Sequence, residues 1–514
     1  MRKLIKTMIL SGILTFFLST MAYADIGDMG FFGGVSQGRK LPKTTEILLQ
    51  NKNSKKTSSD SFIYKELILL SGRPQEFEGR LTKKESGAVT QEENSGTYTV
   101  TFTVVPVRTD EDAARINRNI VFTVNWRREG SQVIKDYEVK SWTETIASAD
   151  DELSLQQDQS HFNVSIIEDH TPGVVYYKGN ISMTAVYAAD SEDNADAQRT
   201  TVQSTGSIYG YQSAWSNTET HRIDTWVYGN DWQMQYQLRP SVSVNKVLQY
   251  SENEPTAISF KGNYREVIQN QSALSYNIYA KPVQFYDLQD NGSINIPSYN
   301  SFEQLIAPDT SFLKGHFAEA DINKLFSMQV LTGNPVYFKP EQAMTRGQFV
   351  MALAKAVKLP IEEVKATKKS KKNDVVKIVF PDVLPERAEY PYIMAAFNSG
   401  LAMGRDSGNF YIDSPIQRQE AIVILVRALG LENLGLDPTP ATVFTDDRKI
   451  ASWAKKEIYA AERLGIISGD EDGNFRPEEK ITKAEGAAFI NRLINYMRQD
   501  LVTDYTEHII NYAN

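Results

Sequence analysis

The chain contains no cysteine, which excludes disulfides, thiolate metal sites and thiol catalysis. Histidine is scarce, with 5 in 514 residues. In the first half, none of His161, His170 and His221 has metal-ligand spacing with another. Basic residues are outnumbered, 55 Lys and Arg against 64 Asp and Glu, for a net charge of −9; this argues against general binding to nucleic acid. There is no Gly-x-Ser-x-Gly elbow and no phosphate loop. Acidic pairs such as Asp150-Asp151 and Glu168-Asp169 read as solvated loop charges, because glycosidase carboxylates flank a substrate from separate elements. No cofactor, metal or catalytic residue is therefore expected, and the chain reads as a non-enzyme.

Hydrophobic residues make up 41% of the chain, enough for real cores, and the length suggests several domains. Residues 1–24 read as a secretory signal. Arg2, Lys3 and Lys6 precede an apolar run over Met8–Leu18, and Ala22-Tyr23-Ala24 supplies small residues for cleavage before Asp25. The run is shorter than the ~20 residues that span a bilayer, and no later stretch is long and apolar enough to do so. Removing the segment's three basic residues takes the net charge from −9 to −12.

The strongest signal is an internal repeat. Its cleanest copy reads Phe444-Thr445-Asp446, Trp453-Ala454, Leu464 through Gly469, Asp472-Gly473-Asn474-Phe475, then Ile481-Thr482-Lys483-Ala484-Glu485. A second has Phe380-Pro381-Asp382, Ser399 through Gly404, Ser407-Gly408-Asn409-Phe410 and Ile416-Gln417-Arg418-Gln419-Glu420. The most worn has His316-Phe317-Ala318, Val330 through Gly333, Tyr337-Phe338 and Met344-Thr345-Arg346-Gly347-Gln348. Phe338 to Arg346, Phe410 to Arg418 and Phe475 to Lys483 are each eight residues. Each copy predicts helix, turn-rich loop, helix. Trp453, Ile458 and Ala461 fall on one face of the first helix. Thr345 with Gln348, and Thr482 with Glu485, form capping boxes at the start of the second, with Gln417 a weaker cap. Asp470, Asp472 and Asn474 lack the spacing of a calcium loop and read as a turn.

These motifs resemble the S-layer homology domain, which occurs in triplets in bacterial surface proteins. The resemblance implies an all-α, three-lobed pseudo-symmetric body that binds secondary cell wall polymer, an anionic and often pyruvylated polysaccharide, in grooves between repeats. It maps the family's basic contact onto Arg346, Arg418 and Lys483. The glycines Gly333, Gly404 and Gly469 and the aromatics Trp453 and Phe317 join that polymer-binding set; copy two has Ala388 at the aromatic position. Independently of the name, a basic residue at a helix start, beside unpaired N–H groups, suits an acidic sugar.

Before the repeats, apolar residues alternate with polar ones: Tyr98, Val100, Phe102, Val104; Ile120, Phe122, Val124, Trp126; Ile181, Met183, Ala185, Tyr187; and Trp232, Met234, Tyr236, Leu238. That period of two predicts antiparallel sheets, sandwich-like, with a hairpin turn at Gly229-Asn230. Trp126, Trp142, Trp215, Trp226 and Trp232 read as core before they read as a sugar-stacking platform. The expected layout is a signal over 1–24, a flexible segment over 25–60, a β-rich region over 61–290, a linker over 291–310, repeats over 311–360, 378–432 and 442–497, a Lys-rich insertion over 361–377 and a tail over 498–514. Together these features point to a secreted, wall-anchored surface protein with an outward β module acting in surface assembly, through self-association or contact with other surface proteins. A carbohydrate-binding adhesin and, less readily, a wall-bound hydrolase stand as alternatives.

Overall fold

The computed structural model describes residues 26–49, 57–70, 73–90, 93–108, 113–147, 152–189, 199–251, 263–285, 287–298, 300–362, 379–405, 408–435 and 438–505. The signal sequence, most of the Lys-rich insertion, the end of the C-terminal tail, Ser407 and Asp150-Asp151 lie outside these residues.

The alternating residues do what their spacing demands. Tyr98, Val100, Phe102 and Val104 are all buried, as are Ile120, Phe122, Val124 and Trp126. They belong to one antiparallel sheet of 15 strands. The strands are β1 Val35–Ser36, β2 Thr57–Ile68, β3 Gln75–Ser86, β4 Ser95–Pro106, β5 Arg115–Glu129, β6 Gln132–Ala147, β7 Glu152–Leu155, β8 His161–His170, β9 Val174–Ala189, β10 Arg199–Ser213, β11 Ser216–Tyr228, β12 Gln233–Ser251, β13 Asn263–Ala280, β14 Asn291–Ile296 and β15 Asn300–Ile306. Most neighbours in sequence are neighbours in the sheet, joined by short turns such as Gly229–Trp232, closed by Gly229 N–H to Trp232 O at 2.9 Å. The sheet rolls over its concave face, so a single layer provides both walls of the core. On two central strands the outer face is polar: Asn117, Asn119, Thr123 and Asn125 on β5, and Lys178, Asn180, Ser182 and Thr184 on β9, are exposed or partly so.

Two expectations are corrected here. In the segment expected to be flexible over 25–60, the described residues 26–49 are not a loose leader: Ile26, Met29, Phe31, Phe32 and Val35 are buried inside the rolled sheet. Phe31 meets Phe102, Phe122 and Tyr137 edge-on at 5.4–6.3 Å, while Gly33 is pressed against Leu238 on the far wall. Being touched from all sides, the segment needs no apolar alternation, and its burial left no period to read. The interval 291–310 is likewise not a simple linker, because β14 and β15 pair in tandem along β13. Buried charges in the core are paired. Arg118 bridges Glu66 (2.8 Å) and Glu144 (2.6 Å), as a charge withdrawn from water must be.

The repeats are helical: α1 Glu319–Ser327, α2 Arg346–Ala356, α3 Tyr390–Asn398, α4 Arg418–Leu429, α5 Lys455–Arg463, α6 Lys483–Gln499 and α7 Leu501–Asp504. Ile458 and Ala461 are buried as expected, but Trp453 precedes α5 and is 53% exposed, so it leaves the core face assigned to it. Helix C-termini carry carbonyls with no partner in the helix, and those of α2, α4 and α6 are met by the β region. Trp215 Nε1–H donates to Ala356 O (2.9 Å), the Tyr176 hydroxyl to Leu429 O (3.0 Å) and the Ser216 hydroxyl to Met497 O (2.5 Å). Gly173 N–H reaches Ala428 O at 2.6 Å, an approach that a Cβ at 173 would block. Sheet and repeats also share one apolar cluster, in which Val174, Tyr211 and Trp215 pack with Ala356, Leu429 and Met497.

This junction is testable. Trp215→Phe keeps an aromatic ring but strands the buried Ala356 carbonyl, a loss of about 1–3 kcal/mol. Urea unfolding of the mature chain is expected to show that loss; unchanged stability would mean the contact holds nothing.

Candidate functional site

The second helices of the three repeats start around one pseudo-threefold axis. Met344, Ile416 and Ile481 immediately precede their N-caps, and their backbones close a ring: Met344 N–H to Ile481 O (2.9 Å), Ile481 N–H to Ile416 O (3.2 Å) and Ile416 N–H to Met344 O (3.0 Å). The caps form as the sequence indicates. Thr345 and Thr482 accept from Gln348 N–H and Glu485 N–H, and Gln348, Glu420 and Glu485 accept from the N-cap N–H groups.

The next two N–H groups of each helix are also occupied, which corrects the expectation of free donors for an anion. Arg346 and Gly347 N–H bond Ser414 O and Ile412 O; Arg418 and Gln419 N–H bond Glu479 O and Pro477 O; Lys483 and Ala484 N–H bond Gln342 O and Pro340 O. Each helix start is thus clasped by the loop of the following repeat, the third by the first. What the site offers an anion is the basic side chain at each start and the residual helix dipole.

Those side chains lie between neighbouring repeats, over aromatic rings: Arg346 on Phe410 (5.0 Å), Arg418 on Phe489 (5.7 Å) and Lys483 on Phe338 (5.8 Å). Their surroundings differ. Arg346 is buried, bonded to Met403 O at 2.8 Å, and 3.6 Å from Glu420, which also takes Arg405 at 2.5 Å. Burial pulls its pKa down, partly offset by Glu420. Arg418 is hydrogen-bonded to Glu485, with Glu479 at 3.9 Å. Lys483 bonds the neutral Gln342 at 2.8 Å. Partial burial, then the nearby Lys339, lowers its pKa.

The two aromatics expected at the polymer site, Phe317 and Trp453, are both exposed. Phe317, 69% exposed, stacks on His316, which bonds Glu341 beside Gln342. Trp453 follows Ala451, whose N–H bonds Gln419 next to Arg418. The glycines have packing duties. A Cβ on Gly404 would strike Phe380 and one on Gly469 the Gly473 backbone, while exposed Gly333 adopts φ +98°. Two residues of the repeated Phe-x-Asp motif carry more than sequence reasoning gave them. Asp446 accepts from Phe475 and Arg476 N–H (2.7 and 2.8 Å), and Asp382 from Phe410, Tyr411 and Ile412 N–H. They hold Tyr411 and Arg476 in left-handed conformations, φ 62° and 56°. The motif's recurrence was the available signal. Among the Trp residues, Trp126, Trp142 and Trp215 are core, and Glu168 is locked between Lys135 and His170.

A family model of the S-layer homology domain matches residues 313–350, 379–422 and 443–487. The chain is 29% identical over 178 residues to an S-layer protein of Bacillus thuringiensis subsp. finitimus, covering 34% of this chain and 20% of that protein. It is 31% identical over 176 residues to an uncharacterized cell wall amidase of Bacillus anthracis, 34% of this chain and 30% of that one. An amylopullulanase of Thermoanaerobacterium thermosulfurigenes is 28% identical over 189 residues, 35% of this chain and 9% of the enzyme. The chain therefore spans less than a third of the length of each of these relatives, and the glycosidase relatives share only the repeat region.

The bracing aspartates give a direct test. Asp446→Ala removes the acceptor for two N–H groups and frees a strained loop, so the mature chain is expected to lose about 1–3 kcal/mol and to show faster hydrogen exchange at Phe475 and Arg476. Unchanged exchange there would contradict the bracing role.

Proposed function

From the three S-layer homology repeats, which make this a cell-wall-binding surface protein, we propose that the chain holds acidic wall polysaccharide in the grooves between its repeats and carries the rolled β sheet as a non-enzymatic module for surface assembly. The observation behind this reading is the placement of one basic side chain at each helix start, over an aromatic ring, in three grooves around one axis. A carboxylate on a sugar, such as a pyruvyl ketal, suits a cation beside an apolar ring face, and charge-assisted hydrogen bonds are the strong ones. Several modest contacts along one polymer give firm retention.

The same geometry gives orientation. The grooves lie at the N-terminal ends of α2, α4 and α6, the β region at their C-terminal ends. The eleven residues of α2 put about 16 Å between the two. A polymer held in the grooves leaves the β module pointing away from the wall.

Cosedimentation of the mature chain with purified walls tests the reading. Retention is expected on untreated walls, with at least a tenfold loss once the acidic substituents are chemically removed. Equal retention on both would show that the polymer is held by something other than its charge.

A further inference from the structure

The three grooves differ at the third residue of each second helix, Gln348, Glu420 or Glu485; the two glutamates meet the cation of the preceding repeat, whereas Lys483 bonds Gln342 instead. We propose that this residue selects which groove accepts the polymer's acid group, and that the groove between the third and first repeats, where it is Gln348, is the principal anion site. The proposal rests on the reading of the ligand as an acidic wall polysaccharide.

A carboxylate built into a groove competes with any incoming one. In the groove between repeats two and three the competition is complete: Arg418 bonds Glu485, and Glu479 stands 3.9 Å away. Arg476 is itself engaged by Asp470 at 2.6 Å and Glu479 at 3.7 Å. An added anion there would displace a bonded carboxylate and face a second. Between repeats one and two, one carboxylate, Glu420, serves both Arg346 and Arg405. The Arg346 side chain is only 8% exposed and already spends a donor on Met403 O.

Between repeats three and one the equivalent of the glutamate is Gln348. Among the described residues, no carboxylate lies within ion-pair distance of Lys483, whose ammonium donates to the amide oxygen of Gln342. Lys339 adds a second positive charge without neutralising it, and burial with that like charge disfavours the charged ammonium. An anion entering the groove would supply the opposite charge that this ammonium lacks. The rim carries Phe317, the more exposed of the two groove aromatics, braced by stacking on His316 at 4.7 Å. The ligand class that fits is a saccharide carrying a carboxylate, its acid on Lys483 and an apolar face of the sugar toward the aromatic rim.

The selector can be exchanged without loss of the cap, because Gln348 already accepts from Thr345 N–H as Glu485 does from Thr482 N–H. Binding of purified wall polymer to the full mature chain is the measurement, with thermal unfolding as the control for folding. Gln348→Glu is expected to weaken binding by roughly ten- to a hundredfold, matching Lys483→Ala, whose backbone contacts are retained. Glu485→Gln should leave affinity equal or raise it severalfold by opening the middle groove. Wild-type affinity in both Gln348→Glu and Lys483→Ala would overturn the proposal while leaving wall binding by charge intact. Undiminished binding of the wild-type chain to polymer stripped of its acid groups would instead overturn the reading beneath it.

Discussion

Three backbone hydrogen bonds, running from Met344 to Ile481 to Ile416 and back to Met344, hold the starts of three helices at one axis. Everything in the groove follows from that closure. With the starts clasped, each loop must wrap the preceding repeat's helix, and the loop of the first repeat must wrap the helix of the third. A chain with two such repeats could not close the ring, so the third is a structural requirement before it is an added binding site.

The opposite ends of the same helices carry the complementary constraint. Their terminal carbonyls need donors, and Trp215, Tyr176 and Ser216 supply them from the β9 start and the β10–β11 turn. Lys358, just past α2, adds bonds to the Thr44 and Glu46 carbonyls, tying the leader segment to the repeats. Anchor and β module therefore share a core rather than a tether. Force or orientation imposed at the wall passes directly to the rolled sheet.

The repeats, their capping boxes and the alternating strands were legible in sequence because each is local: periodicity and cap chemistry depend on residues within a few positions. The ring, the clasped N–H groups and the capped C-termini were not, because their partners are dozens to hundreds of residues away. Residues 26–36 escaped for a different reason. A segment enclosed on every side shows no alternation and so read as flexible, whereas Gly33 in fact allows close contact with Leu238. β14 and β15 are short, and β15 exposes Phe302 and Ile306 while burying only Leu305, so no clear alternation marked them as strands. Within the grooves the cations were visible, but their neutralisation by Glu420 and Glu485 was not, since those glutamates read simply as caps.

The central claim is that the protein meets the wall through the helix-start end of its repeats. Hydrogen–deuterium exchange of the mature chain with and without purified wall polymer addresses it most directly. Slowed exchange is expected in the loops over 332–342, 403–412 and 468–480, with strands β2–β6 unchanged. Protection appearing in those strands and absent from the loops would place the wall contact on the β module and contradict the claim.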